Sequence, residues 1–248
     1  MIRFASLGSG SRGNAVLIES GEMGSSTRIL LDCGFSVAHI LRRLAVLNIS
    51  PASLDAILIS HEHQDHVKGA EALAKRFKIP VWMTPGTRLA LPGFSEEWIR
   101  EFDPHRPFAI RSLEILPIPV PHDAREPVQF RLSDGNRNFV HLTDLGQITP
   151  YVARMVDCCD ALMIECNHDL PRLRKGRYPP YLKRRIAGDY GHLCNETAAA
   201  FVGTLDMNRL RHVVAAHLSQ ENNHPELARA ALAQALNATG DWITIADQ

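Results

Sequence analysis

The segment His61-Glu62-His63-Gln64-Asp65-His66 gathers three imidazoles and two carboxylates in six residues, directly after the apolar run Leu54-Asp55-Ala56-Ile57-Leu58-Ile59-Ser60. Imidazole nitrogen and carboxylate oxygen together suit Zn²⁺ and its first-row neighbours, whereas a calcium loop would be all oxygen. His61 and His63 stand two residues apart. In an extended turn they point to one side and can grip one ion, leaving Asp65 and His66 for a second. The competing reading of these residue types is a solvated polar turn at a helix N-terminus, with Asp65 as its cap.

Such a turn needs rigid flanks. The apolar run over 54–60 predicts a buried strand, and Val67, Ala70, Leu73, Ala74 and Phe77 recur at helical spacing, so the cluster falls on a strand-to-helix turn, where α/β sheets place ligands. Ser36 is the expected N-cap of a helix burying Val37, Ile40, Leu41, Leu44 and Leu47, and Pro225 opens another with Ala228, Leu232, Ala235 and Leu236 on its apolar face. Further strands are predicted over 113–120, 128–133 and 139–143, with the turn-forming Ser133-Asp134-Gly135-Asn136-Arg137-Asn138 between the last two. Strands alternating with helices and an antiparallel stretch in the middle predict an α/β chain with partly antiparallel sheets. The glycine-rich opening Gly8 to Gly13 reads as a strand-to-strand turn, since no Gly-Lys-Ser/Thr and no helix pattern follows it; Arg12 at its tip would be free to meet a phosphate.

His-x-His-x-Asp-His, as it stands at His61 to His66, resembles the signature of the metallo-β-lactamase-fold hydrolases. That resemblance spans nearly the whole chain and implies an αββα four-layer sandwich with mixed sheets, a single domain over residues 1–248. It also implies an Asp ending an early strand, then one more His, a bridging Asp and a final His. Asp32 in Ile29-Leu30-Leu31-Asp32, His122 in Val120-Pro121-His122, Asp144 in Leu142-Thr143-Asp144 and His217 in Ala215-Ala216-His217 stand in that order, each after an apolar run. Gly191-His192-Leu193-Cys194-Asn195 is similar to ribonuclease Z and its relatives, where the His contacts the scissile phosphate. The opening Gly8-Ser9-Gly10-Ser11-Arg12-Gly13-Asn14-Ala15, with Glu165-Cys166-Asn167-His168-Asp169 and His217-Leu218-Ser219-Gln220-Glu221-Asn222-Asn223, resembles the YycJ (WalJ) group, which implies a bacterial 5′-to-3′ DNA exonuclease. Cys194 stands where Ser or Thr is expected and Cys166 where Ser is expected, and neither change removes a ligand.

Under that resemblance His61, His63 and His122 would bind a first divalent ion, Asp65, His66 and His217 a second, and Asp144 would bridge them. The ions, Zn²⁺ or Mn²⁺, would hold the attacking hydroxide and neutralise charge on the phosphoryl oxygens. Asp32 is too early and isolated in sequence to be an obvious ligand, so its expected task is to fix a His tautomer or order the ligand loop. His192 would donate to a non-bridging oxygen or the leaving group, with Glu165 or His168 orienting it. A ribonuclease Z-like enzyme or a small or cyclic phosphodiesterase shares this chemistry. A thioester or lactone hydrolase would leave the Gly191-His192 segment unexplained. A structural zinc module would want a closed, usually Cys-rich shell of four ligands rather than seven His and Asp candidates.

At 248 residues and 45% apolar the chain can bury a large core. No apolar run reaches the roughly 20 residues of a bilayer span, and Met1-Ile2-Arg3-Phe4 enters a short strand, so a cytoplasmic location is expected. Five cysteines, with no Cys-x-x-Cys, predict reduced buried thiols rather than a disulfide framework. The 27 basic and 27 acidic side chains cancel, which argues against a chain coated for nucleic acid. Their distribution differs. Arg172, Arg174, Lys175, Arg177, Lys183, Arg184 and Arg185 fall in one window with Tyr178 and Tyr181 and no acidic residue, a pattern that suits either a solvated surface or a nucleic-acid backbone, DNA under the resemblance.

Overall fold

In the computed structural model, which describes residues 1–21 and 26–247, the apolar runs of the first part of the chain become short strands, the central ones largely buried and the two outer ones partly exposed. The strands β1 (Ile2–Gly8), β2 (Ala15–Ser20), β3 (Thr27–Leu31), β4 (Ala56–Leu58), β5 (Val81–Met83) and β6 (Ile99–Glu101) lie side by side in chain order. The first three are antiparallel, and β3 to β6 are parallel. The strand expected over 54–60 is shorter, because Pro51–Ser53 turns as a 3₁₀ helix and pairing covers only Ala56–Leu58.

Parallel neighbours need crossovers, and these carry α1 (Val37–Val46), α2 (Gln64–Val67), α3 (Ala70–Phe77) and α4 (Pro85–Ala90). α1 buries Ile40 and Leu44, one turn apart. Leu47, expected in that face, is the residue after the helix and is 39% exposed, while Val37 and Leu41 are only partly buried. The helix expected after the His cluster is broken in two. A Cβ on Gly69 would meet the Phe35 carbonyl oxygen at 2.1 Å, and Gly69 N donates to Cys33 O at 2.8 Å, so α2 stops there and α3 restarts. Leu7, Leu17, Leu30, Ile57, Leu73 and Val81 form the core between strands and helices, each worth about 1.5–3 kcal/mol of burial. β7 (Phe108–Ile110), β8 (Leu113–Pro119) and β9 (Val128–Ser133) run antiparallel and belong to the same compact unit, Met1–Pro119 with Ala124–Arg137. The turn after β9 is closed by Asp134, whose Oδ1 accepts from Asn136 N at 3.0 Å.

The second compact unit is Val120–Asp123 with Asn138–Asp247. Its strands β10 (Asn138–Leu142), β11 (Ala161–Glu165), β12 (His212–Ala216) and β13 (Ile243–Ile245) are parallel neighbours in that order. Every residue of β11 is buried, the continuous apolar pattern of a parallel strand covered on both faces. The connections hold α5 (Pro150–Val156), α6 (Leu170–Lys175), α7 (Pro180–Ile186), α8 (Asn195–Val202) and α9 (Pro225–Ala235). Thr149 and Asp169 cap α5 and α6, accepting from Val152 N and Arg172 N. α9 buries Ala228 and Leu232 as expected, with Ala233 in place of a half-buried Ala235. Cys158, expected among the buried thiols, is exposed in the turn after α5, while the other four cysteines are buried. No helix among the described residues is long and apolar enough to cross a membrane.

Leu30 is fully buried at the centre of β3. Leu30→Ala should lower unfolding free energy by about 2–5 kcal/mol in urea titration, and a loss under about 1 kcal/mol would show that this core collapses around the cavity.

Candidate functional site

In the first unit the chain crosses from β4 into α2 through Ser60, His61 and His63, beside the residue that ends β3. Asp32 Oδ1 accepts from Ser60 N at 2.9 Å, and its Oδ2 accepts from His66 Nδ1 at 2.8 Å. The Ser60 hydroxyl donates to Asp32 at 3.0 Å and lies 3.0 Å from His61 Nδ1. With the Ser60 hydroxyl donating to Asp32, both histidines have Nδ1 as the donor, which makes Nε2 the acceptor atom of each ring. The His61 ring lies 4.6 Å from His63 and 4.2 Å from His66 between centroids, and Asp65 Oδ2 lies 3.5 Å from His66 Nε2. Asp32 thus bonds the His66 ring at Nδ1 and the Ser60 backbone, the contacts that a tautomer-fixing carboxylate would make.

Two residues of this unit carried no sequence signal that singled them out. Asn14, at the end of the glycine-rich turn, accepts from Gly10 N at 2.8 Å, and its Nδ2 lies 3.0 Å from His66 Nε2 and 3.3 Å from Asp65 Oδ2. Gly34 lets the loop close, since a Cβ there would come 1.7 Å from the Asp65 carbonyl oxygen. Arg12, at the tip of the same turn, is exposed.

In the second unit Asp144, Glu165 and His217 stand at the carboxyl ends of the neighbouring strands β10, β11 and β12. Glu165 is the hub. Its Oε1 accepts from His217 Nδ1 at 2.7 Å and His192 Nδ1 at 2.9 Å, and from Asp144 N at 3.2 Å, while Oε2 accepts from Leu193 N at 2.9 Å. Asp144 Oδ1 lies 3.3 Å from His217 Nδ1 and 3.9 Å from His122 Nε2. His122 donates from Nδ1 to Gly191 O at 3.1 Å, so it too keeps Nε2 for a ligand. Asp144, Glu165, His192 and His217 bring one donor atom each within 4.8 Å of the others. Together the two donor sets, imidazole Nε2 and carboxylate oxygen with no sulfur, fit divalent transition-metal ions.

The electrostatics follow from burial. Burial alone would raise the Glu165 pKa, but attraction and hydrogen bonds from His192 and His217 outweigh it and hold the carboxyl below the ordinary range. For His192, burial lowers the proton affinity and Glu165 more than restores it, so the net shift is upward. His122 is lowered, chiefly by burial. His168 does not share the orienting task with Glu165: its backbone bridges to Cys194, neither ring nitrogen has a hydrogen-bond partner among the described residues, and burial pushes its pKa down to about 4. Arg172, Arg174, Lys175, Arg177, Arg184 and Arg185 are exposed and Lys183 is half-buried, on and around α6 and α7.

Asp32→Ala should weaken binding of a divalent ion by about 10–100-fold in chelator competition, because His66 loses the acceptor that fixes its ring. Unchanged affinity would show that Ser60 and Asn14 suffice.

A family model described as β-lactamase superfamily domain matches residues 27–217. The chain is 34% identical over 247 residues to exodeoxyribonuclease YycJ of Bacillus anthracis, covering 96% of this chain and 90% of that one. It is 36% identical over 243 residues to exodeoxyribonuclease WalJ of Streptococcus pneumoniae, covering 94% and 88%. The crystal structure of the metallo-β-lactamase fold protein YhfI from Bacillus subtilis superposes with a TM-score of 0.75 at 18% identity, over 100% of this chain and 97% of that one, a likeness of fold. Mixed strand directions, flanking helices and donor residues at strand ends agree with these matches, and the chain belongs to the β-lactamase superfamily as a metal-dependent hydrolase of metallo-β-lactamase fold.

Proposed function

We propose that this protein is a metal-dependent exodeoxyribonuclease that hydrolyses DNA phosphodiesters from the 5′ end. The similarity to YycJ and WalJ along almost the full chain supports that substrate. The observation that carries the chemistry is the setting of His192. Its Nδ1 is fixed by Glu165, and its side chain is 22% exposed where those of Glu165, His217 and Asp144 are 3% or less. A ring so held presents Nε2 outward, to whatever approaches the donor set.

His61, His63, Asp65 and His66 in the first unit, and His122, Asp144 and His217 in the second, are the residues that would hold divalent ions, Zn²⁺ or Mn²⁺. Such ions acidify a coordinated water and offset charge gathering on phosphoryl oxygens. The protein's own groups do the rest. Asp32 and Glu165 hold the imidazoles in the ligating tautomer. His192, whose proton affinity Glu165 raises, would donate from Nε2 to a non-bridging oxygen or to the departing sugar oxygen, and a donor fixed before the reaction costs no reorganisation. Arg12 and the exposed Arg172, Arg174, Lys175, Arg177, Lys183, Arg184 and Arg185 are the proposed contacts to the DNA backbone, a salt-sensitive attraction between fixed cations and phosphates.

His192→Ala separates the donor role from a ligand role. Metal content by mass spectrometry should match the wild type while kcat on DNA falls about 10²–10⁴-fold, as for loss of a general acid. Loss of metal along with activity would make His192 a ligand and overturn the assignment.

A further inference from the structure

Tyr190 is one of two tyrosines among the large hydrophobic side chains left in water, 64% exposed, and it stands two residues before His192. Its backbone is held on both sides. Asp123 N donates to Tyr190 O at 3.1 Å, Gly191 N to Gly188 O at 2.8 Å, and His192 N to Ile186 O at 2.9 Å. A Cβ on Gly191 would come within 2.2 Å of the carbonyl oxygens of Arg185 and Ile186, so only glycine fits and the turn has one packing. The carbonyl of Gly191 in turn accepts from His122 Nδ1. Arg185 donates from Nε to the Asp123 carboxylate and remains 62% exposed, which fixes a cation on the segment that also binds the Tyr190 carbonyl.

A scattered surface aromatic needs no explanation. Tyr190 differs because main-chain bonds hold its backbone between the Asp123 segment that follows His122 and the turn that carries His192, so the point from which the ring projects is fixed on that turn. An exposed aromatic ring and an exposed cation that both meet one residue, Asp123, through the Tyr190 carbonyl and the Arg185 guanidinium, offer the two chemistries that a planar base carrying a phosphate calls for. We propose that Tyr190 is the platform on which the base of the 5′-terminal nucleotide stacks, with Arg185 beside it on the phosphate chain. This rests on the reading of the protein as a DNA exonuclease. A base can stack on Tyr190 only when one of its faces is uncovered, so the nucleotide must leave the stack of its own strand to be cut, and an unpaired end is the form the site takes.

The test uses single-stranded DNA with either a normal nucleotide or an abasic tetrahydrofuran residue at the 5′ end, cut by wild type, Tyr190→Ala and Tyr190→Phe. Wild type and Tyr190→Phe should prefer the base-bearing end by about tenfold or more in kcat/KM, mostly through KM, and Tyr190→Ala should prefer it by less than about twofold, since stacking platforms contribute differences of that order. Equal slowing of Tyr190→Ala on both ends would overturn the platform and reduce Tyr190 to a support for the His192 turn. Cleavage by wild type with no preference for the base would also overturn it, and leave the nuclease reading standing. Failure of wild type to cut either strand would overturn the nuclease reading and this proposal together.

Discussion

A carboxylate with no access to water, Glu165, fixes the second donor set. Burying an ionised carboxyl is costly unless its oxygens are fully bonded, and here His192, His217 and the backbone N–H groups of Asp144 and Leu193 all donate to it. Each of those bonds also orients a group that the proposed chemistry uses: the His217 imidazole as a proposed ligand, the His192 imidazole as the proposed proton donor, and the turn carrying Asp144. Asp32 repeats the device in the first unit with Ser60 and His66. The stabilisation of a buried charge and the choice of histidine tautomer are therefore one interaction in each unit.

Backbone conformation at the strand ends serves the same purpose. Asp32, Asp144 and His217 have left-handed φ values of 58°, 54° and 54°, a region uncommon outside glycine in which Asp and His are tolerated better than most residues. The single left-handed residue turns the chain sharply after a buried strand, so a polar side chain can follow an apolar run without leaving the site. Such strain of order 1–3 kcal/mol persists only where the surroundings over-determine it, and the hydrogen bonds to Asp32 and Glu165 supply that constraint.

Much of this was legible in the chain itself. His-x-His-x-Asp-His is local, so its place after β4 could be read directly, and strands whose apolar residues are interleaved with polar ones, such as β8 and β9, fell where the pattern placed them. Asp32 was legible as a residue beside the ligands because it ends an early apolar strand. Ser60 and Asn14 were not, since a serine at a strand end and an asparagine in a glycine-rich turn have ordinary local explanations, and only long-range contacts join Ser60 to Asp32 and Asn14 to Asp65 and His66. His168 was misjudged for a related reason: proximity in sequence to Glu165 suggested a shared role, but the chain turns after β11 and buries that ring away from hydrogen-bond partners. The break at Gly69 likewise depends on the Phe35 carbonyl, a contact that helical periodicity does not encode.

The central claim, metal-dependent removal of nucleotides from a DNA 5′ end, is met most directly by digestion of one oligonucleotide labelled separately at each end. Protein stripped of metal should leave both intact. With Mn²⁺ or Zn²⁺ restored, the 5′ label should appear as free nucleotide from the first time points, while the 3′ label stays on strands that shorten step by step. No cleavage with any divalent ion, or early release of the 3′ label, would contradict the account.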